Sequence, residues 1–473
     1  MNKSEKIKVL EDGIRKYSPV VAEFFDREEN IINYSRSLYE YQIDKTQEER
    51  QIRICREIEN YIKRLFKIED EINSPLIVNI VDHHAILNHP ILLATNFFAN
   101  AYRLVDSDNK KKKPIVVLTS SVVPPNNFFN KRGFQYRGKK IPLFSTKYMH
   151  QASCFVDKID FDFIKRLKDI EHWNQFNKEE QNFLITIEKE INNLDFSVAR
   201  DYNDQISIID RFLWKRLFHQ EIRENIPDLF YLTQEEIMVH IFSEILKGDN
   251  IVSEAIFNRD LREKVLKEFE EVTGCWDEKN QKGTYFFWYR DKNREAERMY
   301  LKDDFLVAQK SGFKVKLEKT ELIKLIEEKI IIPNLFIIFG YLVFWCGIRP
   351  LVGHGSSNYL TKMKEAWLRS LKTENEEEYR RISNIDTKGL IGGAIVTFKR
   401  DQKGEIISQY AFDVISDSGL TSDYLNNLLN MKYKNLLRPA LLEIYDSYVP
   451  VKERVNLELT TMDMMGDSFD WIK

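Results

Sequence analysis

The chain has 473 residues, more than one simple core accommodates, so two or three domains are expected. Hydrophobic residues at 43% and aromatic residues at 12% exclude a disordered chain, and a formal net charge of −3 provides no bulk attraction to nucleic acid or to an anionic membrane. Neither is expected as a partner.

Local features point the same way. Lys110–Lys113 is a short basic run of the kind found in solvated loops. Cys55, Cys154, Cys275 and Cys346 are scattered and form no CxxC pair, which argues against a zinc knuckle or a disulfide scaffold. No metal cluster is expected. The first residues, Met1–Lys6, lead into charged helix-like sequence without a signal-peptide apolar region. The most apolar stretch, Ile330–Val352, is interrupted by Pro333, Gly340, Gly347, Arg349 and Pro350, and reads as buried core. The expectation is a cytoplasmic protein without a membrane span.

Residues 1–73 read as an N-terminal helical segment. Thr46-Gln47-Glu48-Glu49 has the form of a capping box, and Ile54, Ile58, Ile62 and Leu65 recur at helical spacing. From Ser74 to Val81 the pattern becomes a continuous apolar, β-branched run, as in a buried parallel strand. Ile91–Leu104 reads as a helix and Pro114–Thr119 as a second strand. Strand, helix and strand make a βαβ unit with a right-handed crossover, and its strands, near 76–81 and 114–119, should be neighbours in a parallel sheet. Residues 74–155 are thus the first part of a Rossmann-like core.

Residues 156–275 read as a helical insertion. Thr233-Gln234-Glu235-Glu236 is a second capping-box pattern, with Ile237, Ile241 and Ile245 following and Gly248 ending the helix. Residues 276–400 read as the second part of the core. Gly283–Arg290 is a strand that Asp291-Lys292-Asn293 turns onto a partner near Arg298–Leu301. Val315 and Leu317 suggest a short strand, Thr320–Lys329 a helix, and Ile391–Phe398 a strand opened by Gly392-Gly393. Residues 401–473 form a C-terminal helical segment, with helix over 421–448. The fold class expected is α/β: a Rossmann-like parallel sheet with a nucleotidyltransferase-like core and large helical additions.

The first candidate site follows the first strand. Asp82-His83-His84-Ala85-Ile86-Leu87-Asn88-His89-Pro90 holds three of the chain's eight histidines within seven positions. Ligands in open α/β sheets bind beyond the carboxyl ends of the strands, and a loop entering a helix exposes backbone N–H groups there. His84 and His89 are the candidate catalytic residues, placed to stabilise a phosphate or developing charge, with His83 and Asn88 as binding residues. The competing reading is that one histidine caps the helix and another is exposed.

The triplet Asp82-His83-His84 also occurs in the DHH phosphoesterases, which hold two metals. Residues 1–82 contain no histidine to complete such a site.

A second candidate is Arg349 with Gly353, His354, Gly355, Ser356, Ser357, Asn358 and Tyr359, after an apolar run and before a helix at Thr361–Leu371. Glycines there let the backbone approach a ligand, and the serines can cap the helix or donate to an anion. A plain glycine-rich turn with an N-cap serine is the competing reading. Ser120 and Ser121, in the loop Thr119–Asn127 after the second strand, face the same cleft in this fold type. All three groups are expected to line one site.

The order of these pieces resembles the bacillithiol-biosynthesis cysteine-adding enzyme family. Asp82–Leu87 with His89-Pro90 is similar to that family's strand-end loop. Tyr285–Leu301, with Arg294 and Leu301, resembles its central hairpin. Arg349-Pro350-Leu351-Val352 and Gly353–Leu360 resemble its RP-containing strand and glycine-rich loop. The resemblance runs from about residue 45 to 375. Where the family carries an acidic, His-containing loop after the second strand, this chain has Ser120-Ser121-Val122-Val123-Pro124-Pro125.

The resemblance implies a ligase that joins an amino acid, cysteine by family default, to an amine-bearing small molecule. ATP or another nucleotide would assist, and a homodimer is compatible with it. A metal phosphoesterase and a non-catalytic ligand-binding scaffold are the alternatives.

Overall fold

The computed structural model describes residues 2–37, 40, 43–69, 77–105, 114–126, 132–388 and 394–472. Helix α1 spans Lys3–Tyr17 and α2 spans Lys45–Phe66. The cap of α2 is Asp44 paired with Gln47, not Thr46 with Glu49, because the Asp44 carboxylate is placed to accept the Gln47 N–H. Ile54, Ile58, Ile62 and Leu65 are buried as their spacing requires.

Strand β1 (Ile77–His83), helix α3 (Pro90–Val105) and strand β2 (Ile115–Ser120) form the expected βαβ unit, and β1 and β2 pair in parallel. A β-hairpin (Gly133–Tyr136 with Lys139–Pro142) and several helices follow, among them α4 (Lys178–Asn192) and α5 (Tyr202–Arg216). Strand β3 (Leu229–Thr233) then pairs in parallel with β2, so the sheet order is β1-β2-β3. The stretch expected to be a helical insertion therefore supplies a strand to the central sheet. Helix α6 (Gln234–Lys247) begins directly at its end.

Alternation along these strands builds two cores. Ile115, Val117, Leu229 and Tyr231 pack in one with Phe97 and Phe98 of α3, while Val116, Leu118, Phe230 and Leu232 pack in the other with Ile54, Ile58, Ile237 and Ile241. Both faces of the sheet are covered, and β2 and β3 are buried along their whole length.

Among the described residues, 276–400 do not extend this sheet. Strands β4 (Phe287–Arg290), β5 (Ala296–Lys302), β6 (Phe305–Ala308) and β7 (Lys314–Lys316), then helix α7 (Lys319–Glu327) and strand β8 (Ile331–Pro333), build a separate antiparallel sheet ordered β7-β6-β5-β4-β8. The expected hairpin is present in it, with Trp288 opposite Arg298. Helix α8 runs from His354 to Leu371, starting ahead of the expected Thr361.

Of the strand expected over 391–398, residues 391–393, with Gly392-Gly393, lie outside the described residues, 394–397 are not strand, and a strand is observed at Phe398–Arg400, paired with Ile406–Ser408. The chain over 421–448 is helical, as Ser422–Asn430, Tyr433–Leu437 and Leu441–Tyr448. Among the described residues no helix is long and apolar enough to cross a membrane.

Candidate functional site

The carboxyl edge of the parallel sheet gathers the groups at the ends of β1, β2 and β3. The register of β1 against β2 skips between Asn79 and His83, and the His84 N–H donates to the Ser120 carbonyl at 2.7 Å. The chain then runs along α5, where the Leu87 N–H donates to Asp210 Oδ1 at 2.7 Å.

His84 is fully enclosed. Its Nε2 lies 3.0 Å from the Asn203 carbonyl, which only accepts, so this nitrogen carries the proton. Nδ1, at 2.8 Å from Thr119 Oγ1, is then the acceptor of the threonine hydroxyl, which also lies 2.9 Å from the Leu232 carbonyl. The ring stacks on Tyr231 with centroids 5.6 Å apart. Burial pushes its pKa down to about 4, so it is neutral at pH 7. Both nitrogens are committed to the protein. His84 is a positioning residue that ties the loop to β2 and α5, not a donor aimed at substrate.

His89 matches the capping alternative. Its carbonyl accepts the Leu93 N–H and its Nδ1 accepts the Ile91 N–H at 3.3 Å, at the start of α3. Its ring meets Tyr410 edge-on, and burial again pushes the pKa down to about 4. His83 is half-buried at the strand end. Asn88 is fully buried. Its carbonyl accepts the Ala411 N–H at 2.9 Å, while its side-chain amide has no partner among the described residues.

Ser120 and Ser121 are held by Glu235, a residue the sequence patterns assigned to a capping box. The Ser120 hydroxyl donates to Glu235 Oε1 at 3.0 Å, and the Ser121 N–H and hydroxyl donate to Oε2 at 2.9 and 2.8 Å. Burial holds the Glu235 carboxyl above the usual range despite these bonds. No capping box forms at Thr233, because Glu235 turns to β2 and Glu236 turns to cations.

Glu236 pairs with Arg200 at 2.5 Å and Lys329 at 2.8 Å, and accepts from His240 at 3.1 Å. Burial opposes its charge, but these three partners outweigh it and hold the carboxyl well below its usual value. Lys329 also reaches Asp201 at 3.3 Å. Asp204, fully buried, pairs with Arg64 at 2.9 Å and Arg200 at 3.1 Å and accepts the Tyr61 hydroxyl at 2.9 Å. The result is a balanced network beside the sheet edge; from sequence Glu236 was read only as the acid of a capping box, and none of the members as a site residue. The available signal was the pair Glu235-Glu236 directly after the apolar run Leu229–Leu232.

The loop and α5 meet along a polar seam. Asn203, Ser207 and Asp210 recur at helical spacing on one face of α5. Asn203 Oδ1, Ser207 Oγ and Asp210 Oδ2 are buried and, like the Asn88 amide, lack partners among the described residues. Burial pushes the Asp210 carboxyl well above its usual range. Buried polar groups of this kind are normally satisfied by water or a ligand.

The second candidate differs from its expected form. Gly353 is the N-cap of α8, and His354 to Tyr359 form the helix's first turns and not a loop. No side chain caps the helix, since Ser357 donates its hydroxyl to the His354 carbonyl at 2.9 Å. That carbonyl also accepts the Tyr448 hydroxyl. A Cβ at Gly353 or Gly355 would meet open space. Burial pushes His354 down to about 4. Arg349 lies 4.0 Å from Asp386. Ser356, Asn358 and Tyr359 are half-buried on α8. His354 of this group meets Tyr448 and Arg349 lies near Asp386, whereas His84 meets Thr119, Ser120, Asn203 and Tyr231.

Cys154 donates its N–H to the Ser121 carbonyl, and burial pushes its thiol well above the usual value, as it does for Cys346. Neither is set up as a thiolate nucleophile. Among the described residues no group of three or more His, Cys, Asp or Glu is arranged to hold a metal ion, and the Asp82 side chain lies outside what is described. No protein-family model matches the chain, and no curated protein does.

Proposed function

We propose that this chain is an amide-bond-forming ligase that joins an amino acid, cysteine by family default, to an amine-bearing small molecule, with nucleotide assistance. In this reading β1, α3, β2 and β3 are a Rossmann-like core, and the substrates lie at its carboxyl edge. The observation that supports it is the loop His83–Pro90. It emerges beyond the carboxyl end of a parallel strand, beside Ser120 and Ser121 of the next strand, where α/β folds gather their ligand groups.

His84 and His89 hold the loop in place. Asn88, Ser207 and Asp210, a buried amide, hydroxyl and carboxyl, suit the amine of the amine-bearing substrate as hydrogen-bond partners. Backbone N–H groups at the start of α8, with the Ser356 hydroxyl, are the counterpart for an anionic group, and Asn358 and Tyr359 orient it.

The test offers the purified chain ATP, cysteine and other amino acids with amine acceptors, and follows amide product by mass spectrometry. Product formed by the wild type and abolished in Asn88→Ala, with melting temperature retained, is the expected result. A folded wild-type chain that forms no amide with any pair would overturn the proposal.

A further inference from the structure

At the amino edge of the parallel sheet, opposite the His84 loop, lies a cavity of about 740 Å³. It opens between the end of α2, the end of α4, the face of α5 and the segment that leads into β3. That volume is in the range of small-molecule pockets. Its apolar wall is Leu65, Phe66, Ile208 and Phe212. Its polar rim carries five cations, of which four are ion-paired to three carboxylates. Arg211 and Lys215 pair with Asp228, Arg216 with Glu190, and Lys67 with Asp195.

The fifth cation, Arg223, makes no ion pair among the described residues. Its Nε and one terminal nitrogen donate to the Phe218 carbonyl at 3.2 and 3.1 Å, which fixes the plane of the guanidinium. Glu190 and Glu224 are the acids that face it, neither within ion-pair distance, and Arg216 faces it as a like charge. Burial, with the Arg216 charge, holds the Arg223 pKa below its ordinary value.

A fixed guanidinium fork suits a carboxylate, and five cations against the four acids Glu190, Asp195, Glu224 and Asp228 leave the lining one positive charge for a single negative one. The aromatic wall adds room for an apolar body. We infer that this cavity binds one amphipathic monocarboxylate, its head on Arg223 and its apolar body against Phe66 and Phe212. The site is separate from the carboxyl edge and does not rest on the ligase reading.

Calorimetric titration of the full chain tests this with decanoate, decanol, acetate and inorganic phosphate. Decanoate is expected to bind once per chain, at least about tenfold tighter than decanol, acetate or phosphate, a difference of about 1.4 kcal/mol. Arg223→Gln should remove that advantage over decanol, and Arg223→Lys should keep part of it. Because Arg223 also holds the Phe218 carbonyl, melting curves accompany each variant. Phe212→Ser, which leaves Arg223 untouched, should weaken decanoate without changing acetate. Equal binding of decanoate and decanol, several equivalents of decanoate per chain, or wild-type affinity in Phe212→Ser would overturn the inference.

Discussion

Replacing His84 by alanine is expected to cost stability in a pH-dependent way. The imidazole is 1% exposed, so the substitution opens a ring-sized hole against Tyr231. It also removes the bonds to Thr119 and Asn203, although Thr119 keeps the Leu232 carbonyl as an alternative acceptor. Cavity and hydrogen-bond losses of this size total about 2–4 kcal/mol at neutral pH.

The sign of the pH effect follows from the ring's environment. Burial lowers the folded pKa from 6.5 to about 4, so between these values the unfolded chain binds the extra proton. Stability from this group is complete above about pH 6.5 and falls as pH drops toward about 4. Between about pH 7.5 and about pH 5.5 the wild type should lose roughly 1.4 kcal/mol that the variant, lacking the ring, does not lose. The cost of His84→Ala should shrink by that amount. His89 and His354 are pushed down as well and sharpen the acid sensitivity of both proteins, but they cancel in the difference. Urea unfolding followed by circular dichroism at the two pH values measures it. An equal cost at both would mean that the ring is not buried in its neutral form, and the positioning role would fall.

Three other substitutions probe the same edge. Asp204→Asn leaves Arg64 and Arg200 without their shared carboxylate and should cost about 3 kcal/mol, the low end for a broken buried pair because both arginines reach solvent, read from the urea midpoint. Glu235→Gln turns an amide donor toward Ser120 or Ser121, which already donate, and should cost about 1–3 kcal/mol in the same experiment. His89→Ala should cost about 0.5–2 kcal/mol through the lost helix cap, with His89→Asn recovering most of it in thermal melts.

Much of the frame was legible because one period dominated each segment. The β1–α3–β2 unit was readable from an apolar run, a helical stripe and a second apolar run, and the parallel pairing followed from the length of the crossover. Strand β3 was hidden because Leu229–Leu232 is a short apolar run flanked by strongly helical sequence, where periodicity does not separate strand from helix. The antiparallel sheet was visible as a hairpin, but nothing local in a hairpin tells which larger sheet it joins. Both capping boxes went astray because Ser/Thr-x-x-Glu is a local pattern that its surroundings override, at α2 through a better N-cap two residues earlier and at α6 through cations that the fold brings to the glutamate. Asp44 accepts from Gln47, and Glu236 goes to Arg200 and Lys329. Gly353 and Gly355 read as a loop, yet a chain with open space around each glycine, and no left-handed φ at either, enters a helix without strain.

The histidines drew attention because imidazoles clustered at a strand end are chemically versatile, but versatility depends on access. His84 meets a carbonyl and a hydroxyl at its two nitrogens, and His89 spends Nδ1 on the first turn of α3. What they hold in place is less conspicuous in sequence. The same loop brings the Asn88 amide to full burial and ties Leu87 to Asp210, on the face of α5 that also carries Ser207 and Asn203. A carboxyl without a cation, an amide without an acceptor and a hydroxyl without either are costly inside a protein unless something polar meets them. What separates these residues from His84 is hydrogen-bonding capacity left unused among the described residues, so in the proposed reaction loss of activity should follow Asn88 and Asp210 while loss of stability follows His84.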